Sequence, residues 1–227
     1  MSDFKFPSWR QRLVRSLHIN RSQAQSKYFQ VASISVDGLP KNRTMVFRGF
    51  IPDSLNLISV TDIRSEKVSD WLSTTPKKFE ICWYFAGSRE QYRIAGHVSL
   101  VSNDILKDEN GANSKRQSVF FSEKFLHQQW ANLSRGGQEQ FLRPSPKTPF
   151  DSEAEEADIQ TKETNNESQV NSRVNSSAAD SAFDISDHFC AVIFTPLSVD
   201  YLNVKGSPQL RCLSDFENDW LEVVVNA

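Results

Sequence analysis

The stretch EQYRIAGHVSLV, residues 90–101, alternates in character along its whole length. Tyr92, Ile94, Val98 and Leu100 fall on one face, while Gln91, Arg93, Ala95, His97 and Ser99 fall on the other. A period of two sustained this far predicts a β-strand with one buried and one polar face. Gly96 interrupts the apolar face and predicts a bulge, a barrel bend or a close approach of another backbone.

Working upstream, 79–85 pairs with this strand as a hairpin around Ala86-Gly87-Ser88-Arg89. Three more strands precede it: 28–36, closed by Asp37-Gly38-Leu39-Pro40; 43–51, stopped by Pro52-Asp53-Ser54; and 55–61. Downstream, strands are expected over 189–195, 199–204 and 220–225, with a turn at Lys205-Gly206-Ser207-Pro208. Short strands separated by turn signals predict antiparallel pairing in a barrel or sandwich. Helical spacing marks 8–20, where Trp9, Leu13 and Leu17 follow a serine cap, and 64–73, where Val68, Trp71 and Leu72 share a side. A longer helical stretch is expected over 114–142, through Phe121, Phe125 and Trp130, with a break at Gly136-Gly137.

The formal charge of −2 conceals a segregation. Residues 151–187 hold ten acids and two bases, which leaves 24 bases against 18 acids in the other 190 residues. That segment has too little apolar surface to offset the entropy of ordering, so it is expected to be a disordered acidic insertion. Residues 1–150 and 188–227 then form a single domain. The modestly basic remainder suits an anionic ligand, and its bases are too dispersed for a nucleic-acid surface.

No apolar run is long enough to span a bilayer, and the start MSDFKFPSWRQRL carries no apolar signal region. Cys82, Cys190 and Cys212 are odd in number, lack a C-x-x-C pair and sit among strand formers. They read as reduced core thiols of a cytoplasmic protein. His18, His97, His127 and His188 share no metal-ligand spacing, so no metal is expected. Nucleophile-elbow, dinucleotide-loop and P-loop motifs are absent from the sequence. If the chain is an enzyme, a bound cofactor carries the chemistry and no catalytic side chain stands out.

One stretch is over-furnished for a turn: SVTDIRSEKVSDW, residues 59–71. With Thr61 or Asp62 capping the helix, its first N–H groups, the Ser65 hydroxyl, the Lys67 ammonium and Arg64 would face a common point, as a phosphate requires. The same residues also read as a local cap with Arg64 and Glu66 solvated and Lys67 paired along the helix. Arg43 and Arg48 bracket the apolar run of the preceding strand, where strict alternation sends them to opposite sides. An arginine there is placed for a bidentate phosphate grip.

The motifs follow in a telling order: R-T-M-V-F-R-G-F, S-V-T-D-x-R-S-x-K, C-W-Y-F…E-Q-Y-R-I-x-G, W-x-x-L-S and V-D-Y-L-N-V…R…W…V-N. Together they resemble the pyridoxamine 5'-phosphate oxidase-like FMN-binding split-barrel family, in the branch shared by cyanobacteria, plants and fungi. The resemblance implies a mainly β fold with flanking helices: an antiparallel, Greek-key-like split β-barrel. It also implies a homodimer with FMN bound at the subunit interface.

Carried over residue by residue, Arg43 resembles the arginine that begins the phosphate-side strand, and Thr44, Met45 and Val46 continue it. Arg48 stands where the oxidases have a substrate-contacting lysine. Thr61, Arg64, Ser65 and Lys67 match the phosphate-holding segment. Gln91 matches a glutamine offered by the neighbouring subunit, Ser134 a hydroxyl contact and Arg211 a C-terminal flavin-contacting arginine. The implied activity is oxidation of a small molecule, with a B6 vitamer phosphate as candidate substrate and flavin N5 as hydride acceptor. Leu202 replaces the oxidases' tryptophan, and no histidine accompanies Arg211. These departures leave open a non-catalytic protein that binds flavin or a B6 vitamer.

Overall fold

The computed structural model describes residues 6–105, 122–149 and 184–227. The start of the expected 114–142 helix and most of the 151–187 insertion lie outside the described residues.

The alternating stretch is β6, Glu90–Val101. Tyr92, Ile94, Val98 and Leu100 are buried, as their spacing predicts. Before it run α1 (Ser8–Ile19), β1 (Tyr28–Ile34), β2 (Pro40–Val46), β3 (Gly49–Phe50), β4 (Leu57–Asp62), α2 (Glu66–Leu72) and β5 (Lys78–Phe85). After it come α3 (Glu123–Ala131), α4 (Arg135–Glu139), β7 (Phe189–Asn203), β8 (Leu210–Asp215) and β9 (Val223–Val225). All strand pairs are antiparallel, in the order β2-β1-β5-β6-β7-β4-β3, with β8 joining β7 and β9 joining β8.

The central strand is β7. One edge pairs with β6 along its length; the other pairs with β4 from Phe189 to Phe194 and with β8 from Ser198 to Asn203. The change of partner falls at Pro196, which has no N–H to give a ladder. The β6–β7 register shifts at the same place, between Ala95 and Gly96. A Cβ on Gly96 would lie 2.0 Å from the Thr195 carbonyl oxygen, so the predicted close approach is real and only glycine fits. The two expected strands over 189–204 are therefore one bent strand.

The run FCAVIF in β7 is apolar on every residue because both of its faces are covered. Cys190, Val192 and Phe194 face the barrel core with Trp9, Phe29, Trp71 and Trp83. Phe189, Ala191 and Ile193 face a second cluster with Leu126, Trp130 and Phe141, from α3 and the segment after α4. Continuous apolarity is the signature of a strand buried on both sides.

Several expected boundaries are corrected. The strand over 43–51 divides: Phe47 N–H donates to Lys27 O, and Arg48 N–H then turns to Ile58 O on β4. Gly49, at φ +139°, makes that crossing possible. The helical break comes at 132–134, because Asn132 ends α3 and Ser134 caps α4, with Gly136-Gly137 inside α4. Helix α1 is entered through Pro7, and Ser8 is its first helical residue. Strand β8 was not anticipated; its exposed Leu210 and Leu213 and half-buried Arg211 hide the alternation with buried Cys212 and Ser214.

Candidate functional site

Strand β4 ends at Thr61-Asp62, and the turn Ile63-Arg64-Ser65 leads into α2. Ser65, rather than Thr61 or Asp62, occupies the N-cap position, and it makes no side-chain cap bond. The Asp62 carboxylate instead accepts the Arg64 backbone N–H at 2.8 Å and the Arg64 guanidinium at 2.6 Å. Burial alone would raise its pKa, but the Arg64 bonds outweigh that and hold Asp62 below the usual carboxylate range. Arg64 also donates to Arg143 O. Its charge is thus spent locally.

The other residues of the turn converge. Lys67 Nζ donates to Thr61 Oγ1 at 2.9 Å, and Thr61 Oγ1 lies 3.4 Å from Ser65 Oγ. Both hydroxyls are buried. Ser65 Oγ donates to Asp62 O at 2.7 Å. Arg43 comes from β2, directly opposite Val31 on β1, and its charge is near enough to act on Lys67. Burial lowers the Lys67 pKa, and the positive charge of Arg43 lowers it further. Burial likewise lowers that of Arg43, against the raising influence of Asp70.

Two cations are therefore held close enough to repel, beside two buried hydroxyls. Lys67 has no carboxylate within ion-pair distance among the described residues, and Arg43 has only Asp70, at 3.6 Å. The cluster gathers two cations, of which Lys67 forms no ion pair among the described residues, and two buried hydroxyls. These residues fit a phosphate monoester. Helix α2 has seven residues, so the side chains supply most of that fit.

The remaining predicted residues are placed apart from this cluster. Thr44 is exposed, Met45 is buried in the core and Val46 is half-buried. Arg48 is exposed beyond the end of β2 and makes no ion pair among the described residues. Ser134 caps α4 through the Gly137 N–H at 3.3 Å. Gln91 and Arg211 both flank Leu202, near the far end of β7. Thr61 pairs with Cys190 near its beginning. From Cys190 to Leu202 the strand runs roughly 40 Å. Arg211 is gripped by Asp200 at 3.0 and 2.6 Å. Beside that pair lies a cavity of about 290 Å³ lined by Glu80, Arg93, Asp200 and Asp215 among others. Three carboxylates against one arginine do not suit a phosphate.

Two residues near the cluster were missed in the sequence, Ser33 and Asp70. Ser33 looks like an ordinary strand serine. Asp70 follows Lys67 by one helical turn, and a carboxylate on the buried side of a helix is the signal that marks it.

Residues 6–102 match the family model described as pyridoxamine 5'-phosphate oxidase, FMN-binding domain. Over 202 residues the chain is 29% identical to pyridoxine/pyridoxamine 5'-phosphate oxidase 2 of Arabidopsis thaliana, covering 89% of this chain and 86% of that protein. Over these residues the chain is similar to pyridoxamine 5'-phosphate oxidase-like, FMN-binding split-barrel proteins.

The family likeness extends to solved structures. A pyridoxamine 5'-phosphate oxidase-related, FMN binding protein of Nostoc punctiforme superposes with a TM-score of 0.74 at 29% identity, over 99% of this chain and 100% of that one. PhzG of Burkholderia lata shares the fold at a TM-score of 0.64 and 14% identity, over 96% of this chain and 90% of its own. Among the described residues no helix is long and apolar enough to cross a membrane, and no group of three or more histidine, cysteine or carboxylate side chains could hold a metal.

Proposed function

We propose that this chain binds FMN and acts as an FMN-dependent oxidoreductase on a small anionic substrate, with a B6 vitamer phosphate as the leading candidate. The observation that carries the reading is the proximity of Arg43 and Lys67 beside the Thr61 and Ser65 hydroxyls, with no carboxylate ion-paired to Lys67 among the described residues. Arg43, Lys67, Thr61 and Ser65 would hold the FMN phosphate. Arg48, exposed and unpaired among the described residues, is a cation free to meet a negatively charged substrate. When bound, FMN supplies the two-electron chemistry, with N5 as hydride acceptor. The protein contributes position and charge compensation.

A second copy of the chain completes the site in this reading. Gln91 and Arg211 lie at the opposite end of β7 from the phosphate cluster, which supports their serving the flavin of a partner. That β7 is the centre of a sheet whose other strands largely precede residue 102 supports reading 1–150 and 188–227 as one domain. Three unpaired cysteines support a reducing, cytoplasmic setting.

The test is purification followed by a visible spectrum and titration with FMN and riboflavin. Flavin colour or tight uptake of FMN, with riboflavin much weaker, supports the reading; no uptake of either ends it. Peroxide release on adding pyridoxine or pyridoxamine 5'-phosphate then tests the substrate. A non-catalytic binder is the second reading, favoured by the commitment of Arg211 to Asp200 and by Leu202 between Gln91 and Arg211. Flavin uptake without turnover of any reductant offered is its expected signature.

A further inference from the structure

Arg43 is held from behind. Its Nη1 donates to Ser33 Oγ at 2.8 Å and to Val31 O at 3.3 Å. Its Nη2 lies 3.6 Å from Asp70 Oδ2. Ser33 Oγ in turn donates to the same Asp70 oxygen at 3.2 Å. Ser33 is 3% exposed and Asp70 7%, so neither is a solvated surface group. Ser33 sits two residues beyond Val31 on β1, on the side from which Arg43 crosses, while Asp70 reaches in from α2. A guanidinium has five N–H donors in a rigid fork, and this arrangement leaves part of the fork unused. An arginine on a free stem samples many rotamers; one anchored on two elements does not.

We infer that Ser33 and Asp70 are positioning residues for the phosphate grip, fixing Arg43 so that its unused donors face the ligand. This rests on the FMN reading above and extends it to two residues that do not themselves touch the flavin. A carboxylate near a phosphate site opposes anion binding by charge alone, so the inference commits to a sign: losing Asp70 weakens FMN binding although it removes a negative charge.

The experiment is FMN and riboflavin titration of Ser33→Ala, Asp70→Asn and Arg43→Ala, and of the first two in the Arg43→Ala background, with a melting curve for each. Ser33→Ala and Asp70→Asn are each expected to weaken FMN by about tenfold, leave riboflavin unchanged, and have no further effect once Arg43 is gone. That non-additivity separates positioning from general destabilisation. Tighter FMN binding by Asp70→Asn, or equal losses with and without Arg43, overturns the inference. Should Asp70→Asn fail to fold, Ser33→Ala, which changes no charge, decides alone. If Arg43→Ala weakens FMN but Ser33→Ala does not, the positioning inference fails and the FMN reading stands. If Arg43→Ala has no effect, the phosphate reading itself falls.

Discussion

Replacing Lys67 with methionine separates a ligand-binding lysine from a structural one, because the two roles predict opposite signs. In the ligand-free chain Lys67 is half-buried and bonded, among the described residues, only to Thr61 Oγ1, and both burial and Arg43 lower its pKa. A lysine whose folded pKa lies below its unfolded value costs stability wherever both states are charged. That cost disappears only as pH rises through the folded pKa toward the ordinary lysine range. At neutral pH Lys67→Met should therefore leave the melting temperature of flavin-free protein unchanged or raise it. FMN affinity should move the other way. Losing one charge-assisted hydrogen bond to phosphate costs about 1.5–3 kcal/mol, or roughly 10–150-fold in Kd. Riboflavin, which has no phosphate, should bind the variant and the wild type alike. Quenching of flavin fluorescence gives the affinities, and thermal denaturation gives the stability. A variant that melts lower yet binds FMN normally would refute the reasoning, as would equal losses for FMN and riboflavin.

FMN affinity should fall as pH drops below about 6, where a phosphate monoester takes up its second proton, while riboflavin affinity should not follow; titration across that range checks it. If Gln91 and Arg211 serve a partner's flavin, diluting the loaded protein until sedimentation shows monomers should release FMN in step with dissociation. Buried Glu90 accepts from Ser16 Oγ at 2.8 Å and Tyr201 OH at 2.7 Å, tying α1 to the barrel. Glu90→Leu should cost about 2–4 kcal/mol in urea unfolding by removing the buried acceptor those hydroxyls share. Gly96→Ala, which sets a methyl against the Thr195 carbonyl, should cost about 3 kcal/mol in the same assay.

The parts legible in the sequence were those set by local periodicity. The face assignment of β6 and the role of Gly96 followed from alternation and from one residue that lacks a side chain. The fused β7 did not, because a proline in a strand pattern signals an end. Here Pro196 instead marks where β7 exchanges β4 for β8, a tertiary event. Strand β8 escaped because its two leucines are exposed while a cysteine and a serine are buried, a pattern that carries little apolar contrast. At the site, Lys67, Ser65 and Thr61 were visible as an excess of polar groups in a turn. Arg64 was grouped with them by proximity in sequence, and the structure turns it onto Asp62. Ser33 and Asp70 were invisible because their role exists only where β1, β2 and α2 meet.

The most direct measurement is a crystal structure of the chain grown with FMN. The phosphate is expected within about 3 Å of Lys67 Nζ and the Arg43 guanidinium, with the Thr61 or Ser65 hydroxyl on a third oxygen. Flavin density with its phosphate elsewhere, or crystals that take up no flavin at saturating concentration, would contradict the reading.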